Sequence, residues 1–301
     1  MLRALARRIR QGLDSLLMRL VSLKLQTISL LERFDSFLRL FRLPVVEEFG
    51  KLFYLLRRNT FDQTFFFGKH VLKFPTDLWS YQEILHDCKP DLIIETGTFF
   101  GGSTFYLAKL CDLFERGRVV SIDTCHDHVY SEVLQHPRIS LITGSSTAPE
   151  ILEMVRSLIR EGDRVMVILD SDHREEHVLK ELEAYSSFVS EGQYLIAEDG
   201  IVDSIYPKKM GKGPLAAILT FLSRSRLFTP DYYRSRFLLT LCPSGYLYRT
   251  PAGETKRIWG PMDCLRPLRL WLPGAPPPDD VPWMKLINQA KKVDPSSQNG
   301  A

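Results

Sequence analysis

Acidic side chains close four of the five apolar runs in the middle of this chain. Glu95 follows Leu92–Ile94, Asp123 ends Arg118–Asp123, Asp170 ends Val165–Asp170, and the pair Glu198-Asp199 follows Gln193–Ala197. The fifth run, Arg138–Thr143, opens into Gly144-Ser145-Ser146. Burying one carboxylate is costly, and several together repel one another. A cation, or a ligand carrying positive charge and hydroxyls, would offset both effects.

The first acid opens a glycine-rich turn, Glu95-Thr96-Gly97-Thr98-Phe99-Phe100-Gly101-Gly102-Ser103. Gly97, Gly101 and Gly102 let backbone approach a ligand closely before a helix starts at Ser103. A dinucleotide site would use G-x-G-x-x-G against a pyrophosphate. Here an acid precedes the first glycine, which suits an amine or hydroxyls better than phosphates. Asp123 ends the next run, where acids accept hydrogen bonds from a ribose diol in nucleoside-binding folds.

Such an arrangement needs strands whose carboxyl ends meet. The unbroken apolar runs predict strands over 92–95, 118–123, 138–143, 165–170 and 193–198. Helical patterns starting at Ser103, Ala148, Arg174 and Leu215 separate or follow them. Strands apolar on both faces, alternating with helices, make an α/β fold with a doubly wound, mainly parallel sheet. Phe237–Leu241 and Tyr246–Arg249, joined by Pro243-Ser244-Gly245, predict a closing antiparallel hairpin. Ligands in such folds sit beyond the carboxyl ends of the strands.

The chain has 301 residues, 45% apolar and 25% charged, with a formal net charge of +3. That is ordinary globular composition, and it gives no argument for nucleic acid. Residues 1–45 carry nine Lys/Arg against three acids, a net +6, which leaves −3 for the remainder. Leucines there recur at helical spacing, so 1–45 is expected to be a basic helical extension. It would pack on the body or a second subunit, making a homo-oligomer, or lie on a membrane surface. Residues 46–89 read as an aromatic-rich cap, 90–250 as the sheet domain, and 251–301 as a proline-rich tail with a disordered end. Five scattered cysteines without C-x-x-C spacing fit reduced thiols in a cytoplasmic compartment.

Together, Glu95–Ser103, Ser121-Ile122-Asp123, Gly144-Ser145-Ser146, Leu169-Asp170-Ser171-Asp172-His173 and Glu198-Asp199 resemble the cephalosporin hydroxylase family. Phe74-Pro75-Thr76-Asp77-Leu78-Trp79 and Tyr81-Gln82-Glu83-Ile84 extend the resemblance, which runs from about Lys73 to Arg249. Despite its name, that family has a Rossmann-like class I methyltransferase fold and includes rhamnosyl O-methyltransferases. More distantly, the pattern is similar to catechol O-methyltransferase. The resemblance implies S-adenosylmethionine as cofactor, with Glu95, Gly97 and Ser103 along its methionine part. It implies Asp123 on the ribose and Ser145-Ser146 near the adenine. Thr98, Gly101, Gly144 and Asp170 complete the expected cofactor surface. It further implies Asp170, Glu198 and Asp199 as ligands of one ion. Three carboxylates without a cysteine suit Mg2+, Mn2+ or Ca2+ rather than Zn2+.

The expected activity is metal-assisted O-methyl transfer to a hydroxyl of a sugar, glycolipid or small natural product. A hydroxylase of the same family and a non-catalytic cofactor-binding assembly partner are the other readings. His173 stands where the catechol enzyme has a lysine three residues past the first metal Asp. It is the candidate general base, beside Asp170 as catalytic ligand, with Asp172 and Lys212 as competitors. Lys208, Lys209 and Lys212 form either a solvated loop or a lid on the acceptor. His173-Arg174-Glu175-Glu176-His177 matches H-x-x-E-H, but His173 falls at a strand–helix junction, so the two histidines need not share a face. His126, His128 and His136 read as loop or surface residues, with His128 a candidate for the cofactor mouth. The aromatics at 61–67 are assigned to packing.

Overall fold

Leu92–Ile94 and Val165–Leu169 are apolar without interruption because both faces of their strands are covered. In the computed structural model, which describes residues 48–205 and 212–252, Ile93 points into one core with Met166 and Ile168. Leu92 and Ile94 point into the other with Val165, Val167 and Leu169. The basic segment 1–45, Lys208, Lys209 and the tail from 253 lie outside the described residues.

A small antiparallel pair, β1 (Phe65–Phe66) and β2 (Lys69–His70), comes first. The main sheet holds β3 (Leu92–Thr96), β4 (Arg118–Asp123), β5 (Ile139–Thr143), β6 (Val165–Leu169), β7 (Tyr194–Ala197), β8 (Phe228–Pro230) and β9 (Tyr246–Arg249). Its order is β5-β4-β3-β6-β7-β9-β8, with the first five strands parallel and β9 antiparallel to both its neighbours. The winding reverses between β3 and β6, and such a switch point opens a crevice at the strand tips.

Helices α1 (Pro75–Cys88) and α2 (Gly102–Leu113) cover one face through Tyr81, Ile84, Leu107 and Cys111. A single turn, α3 (Ser131–Leu134), packs Val133 beside Phe105 of α2. On the opposite face lie α4 (Pro149–Leu158), α5 (Glu175–Tyr185) and α7 (Pro214–Arg224), contributing Ile151, Val155, Leu182, Ile218 and Phe221. The short α6 (Val202–Ile205) follows β7. Proline occupies the first turn of α1, α4 and α7, where its missing N–H leaves no helical bond unmade.

One predicted element is corrected. The antiparallel partner of β9 at the sheet edge is β8, not Phe237–Leu241. That apolar segment is held instead by α1: Thr76 Oγ1 donates to the Leu239 carbonyl at 2.5 Å, and Leu241 N–H donates to Asp77 Oδ2 at 2.8 Å. Two of its backbone groups are thus bonded to polar side chains of α1 rather than within a strand ladder.

Candidate functional site

The turn after β3 is pressed onto the tip of β6. Gly97 has φ +88°, and a Cβ there would sit 1.9 Å from the Asp170 carbonyl oxygen, so only glycine fits. Asp123 fixes the far side of the turn. Its Oδ2 accepts from Phe99 N–H at 2.8 Å and its Oδ1 from Thr124 N–H at 2.7 Å. Between these tips lies a cavity of about 730 Å³. Gly97, Thr98, Ser103 and Asp123 line one side; Gly144, Ser145 and Ser146 line another; Asp170, His173 and Asp199 close a third.

Glu95, Gly101 and Glu198 do not line the cavity. Glu95 is fully buried beneath the turn, its Oε2 accepting from Thr104 Oγ1 at 2.5 Å and Ser121 Oγ at 2.8 Å. Its Oε1 has no hydrogen-bond partner. Burial pushes the Glu95 carboxyl up, against the opposing pull of the Lys73 charge. Gly101, at φ +81°, precedes α2 and packs on Val129 and Val133.

Asp170, His173 and Asp199 present ligand atoms that all lie within 4.8 Å of one another, the one such grouping among the described residues. His173 Nε2 is 3.2 Å from Asp199 Oδ2. Burial disfavours the imidazolium, but Asp199, Asp170, Asp172 and Glu198 outweigh it and hold His173 above the ordinary histidine value. Burial likewise raises Asp170 and Asp199, opposed by Lys73 and His173 respectively.

Glu198 does not reach the cavity lining and meets this group through Lys73. Neighbouring residues at a strand tip point to opposite sides, and Asp199 adopts φ +55°. Asp199 therefore reaches the cavity while Glu198 turns under α1. There Lys73 Nζ donates to Glu198 Oε1 at 2.5 Å and to Asp170 Oδ2 at 2.8 Å. Tyr81 OH also donates to Glu198 Oε1, and Cys242 Sγ lies 3.5 Å from Oε2.

The family model described as Rhamnosyl O-methyltransferase/CmcI matches residues 58–250. The chain belongs to the rhamnosyl O-methyltransferase/CmcI family. Rhamnosyl O-methyltransferases of Mycobacterium tuberculosis and Mycobacterium leprae are each 33% identical over 214 residues. Those alignments cover 68% of this chain and, respectively, 85% and 90% of the relatives. Among solved structures, apo CmcI and CmcI with Mg and SAM superpose with a TM-score of 0.51 at 21% and 22% identity. Each covers 64% of this chain and 78% of its own, a likeness of fold.

Within this member of the rhamnosyl O-methyltransferase/CmcI family, several side chains stand where sequence reasoning did not put them. Lys73 is 2% exposed and lies between two acids. The only signal was a lone lysine inside Val71-Leu72-Lys73-Phe74. His126 is a strut: Nε2 meets Thr98 Oγ1 at 3.1 Å and Nδ1 meets Thr143 Oγ1 at 2.9 Å, tying the glycine turn to the tip of β5. His136 is buried against Asp112, 3.1 Å away, rather than on the surface. His128 is exposed and outside the cavity lining.

Of the competing bases, Lys212 is exposed, 3.9 Å from Glu175, and does not line the cavity. Asp172 does line it, but Arg174 hydrogen bonds hold its carboxyl below the usual range. His177 faces Ser146 Oγ at 3.2 Å and Glu181, so the H-x-x-E-H pair does not converge. The rest of the wall includes Tyr54, Arg57, His70, Leu72, Lys73, Phe99 and Phe100.

Proposed function

We propose that this chain is an S-adenosylmethionine-dependent, divalent-metal-assisted O-methyltransferase acting on a sugar hydroxyl. The observation that carries the reading is the meeting of Asp170, His173 and Asp199 at one edge of a cavity whose other edges are the glycine turn and Asp123. The relatives at 33% identity are named for rhamnosyl O-methyl transfer, which supports a deoxysugar acceptor.

The residues fit both absent groups. Gly97, Thr98 and Ser103 of the glycine turn and the Asp123 carboxylate border one cavity, a lining that suits a nucleoside bearing an amino acid. The carboxylates of Asp170 and Asp199 are suitable oxygen donors for Mg2+ or Mn2+. When bound, S-adenosylmethionine supplies an activated methyl carbon and the ion lowers the pKa of an acceptor hydroxyl.

The protein's own part is mostly positioning. Asp123, braced by Phe99 N–H, presents its carboxylate to a ribose diol, and Ser145 and Ser146 border the adenine end. Asp170 and Asp199 would hold the ion at the cavity edge. His173 Nε2, at the same cavity edge, would accept the acceptor's hydroxyl proton, with Asp199, 3.2 Å away, stabilising the resulting imidazolium. Tyr54, His70 and Phe100 offer flat faces to the acceptor.

The Leu-rich segment 1–45, with its net +6, would pack on the body or a second subunit, or lie on a membrane surface and bring the site to a membrane-borne acceptor. Among the described residues no helix is long and apolar enough to cross a membrane.

Calorimetry tests the core of this reading. S-adenosylmethionine should bind, and Asp123→Ala should weaken it by about 10- to 100-fold through lost charge-assisted hydrogen bonds. Unchanged affinity in that variant contradicts the placement of the ribose.

A further inference from the structure

His126 follows the tip of β4 and meets both neighbouring strand tips, Thr98 after β3 and Thr143 at the end of β5. We infer that His126 is a positioning residue for the cofactor, and that a one-way chain of hydrogen bonds ending on Glu95 fixes its ring proton on Nε2. The inference rests on the S-adenosylmethionine reading of the cavity and adds to it the side chain that sets the separation of two walls.

The order of the chain follows from counting protons, since a hydroxyl has one to give. Glu95 Oε2 accepts from Thr104 Oγ1 at 2.5 Å and from Ser121 Oγ at 2.8 Å. Ser121 has thereby spent its proton, so its 2.8 Å contact with Thr98 Oγ1 requires Thr98 to donate. Thr98 Oγ1 can then only accept from His126 Nε2, 3.1 Å away, and the ring proton sits there. Nδ1 is left bare and accepts from Thr143 Oγ1 at 2.9 Å. Each assignment forces the next because Glu95, Ser121 and Thr98 are buried, away from water that could supply another proton. Burial also disfavours the imidazolium and holds His126 below the ordinary histidine value, against the pull of Asp123 and Asp127.

The two ends of the ring serve different parts of the cavity. Thr98 lines it within the glycine turn, where the methionine part is expected. Thr143 leads directly into Gly144, Ser145 and Ser146, which line the side expected to take the adenine. Asp123, the expected ribose acceptor, stands between them and already holds Phe99 N–H. One rigid imidazole bonded at both nitrogens therefore fixes the glycine turn against the tip of β5 before any ligand arrives. Such preorganisation lowers the ordering cost of binding.

The test uses the full-length protein with 15N-labelled histidine, and S-adenosylmethionine as the probe in calorimetry. Long-range 1H–15N spectra near neutral pH should show the His126 ring protonated on Nε2, its signal identified by its loss in His126→Gln. Ser121→Ala frees the Thr98 proton to turn toward Nε2, so part of the population should move to the Nδ1–H form. His126→Phe should weaken S-adenosylmethionine by about tenfold, and His126→Gln, which can still donate to Thr98, should return to within about threefold of wild type. Thr143→Val, at an exposed position that the core does not depend on, should cost about threefold, and it keeps the role testable if the phenylalanine variant misfolds. An Nδ1–H ring in the wild type, or a tautomer indifferent to Ser121→Ala, overturns the proton order. Wild-type affinity in His126→Phe or in Thr143→Val overturns the positioning role alone. No S-adenosylmethionine binding by the wild type overturns the positioning role and the cofactor reading together.

Discussion

His173 Nε2 and Asp199 Oδ2 lie 3.2 Å apart, although one residue follows β6 and the other follows β7. The contact joins two neighbouring strand tips at the edge of the cavity, where the proposed cation and base would meet an acceptor hydroxyl. Asp199→Asn removes a charge from this meeting point without changing its shape. It should lower kcat/KM for methyl transfer by about 10²–10³ at saturating S-adenosylmethionine. Calorimetric affinity for the cofactor should stay within about threefold. A variant that loses cofactor binding instead would place Asp199 in the wrong role.

The pressure of Gly97 on the Asp170 carbonyl makes a different prediction. Alanine at 97 meets both a φ of +88° and a 1.9 Å approach to backbone, neither of which a side-chain rotation relieves. The turn must therefore shift away from β6. Gly97→Ala should cost about 3 kcal/mol or more, roughly 6–12 °C in Tm, and should weaken cofactor binding in parallel. Thermal melting with and without S-adenosylmethionine measures both. An unchanged Tm would mean that the turn is not clamped.

Much of this arrangement is legible in the chain itself. The central strands announce themselves because burial on both faces demands unbroken apolar runs, and each run stops where its acid reaches the open end of the sheet. Pro75, Pro149 and Pro214 mark helix starts for an equally local reason. What was hidden depends on partners distant in sequence. Lys73 meets acids 97 and 125 positions away, so nothing near it reveals the pairing. Glu198 and Asp199 look equivalent as letters, and only the turn at Asp199 separates their directions. Phe237–Leu241 has the composition of a strand, yet Thr76 and Asp77 of α1 take its hydrogen bonds first.

Asp77 itself gives the fold a pH dependence. Burial pushes its carboxyl from 3.8 up to about 6, despite hydrogen bonds from Thr240, Leu241 and Tyr246. A carboxyl raised in the folded state contributes stability that is fully present below about pH 3.8 and lost as pH rises through about 6. Asp77→Asn has no such titration. Relative to wild type, the variant should therefore gain up to about 3 kcal/mol between pH 4 and pH 7. Urea denaturation across that range checks it, and a flat difference between the two proteins would contradict it.

The central claim is that this chain moves a methyl group from sulfur to oxygen with the help of a divalent ion. The most direct measurement follows label from methyl-labelled S-adenosylmethionine into a panel of rhamnosylated and other glycosylated acceptors, with Mg2+ present. The predicted result is an O-linked labelled methyl with equimolar S-adenosylhomocysteine, lost on chelation and in Asp170→Ala. Acceptor-dependent oxygen consumption with no label transferred would contradict the account, as would label transfer indifferent to chelator and to Asp170→Ala.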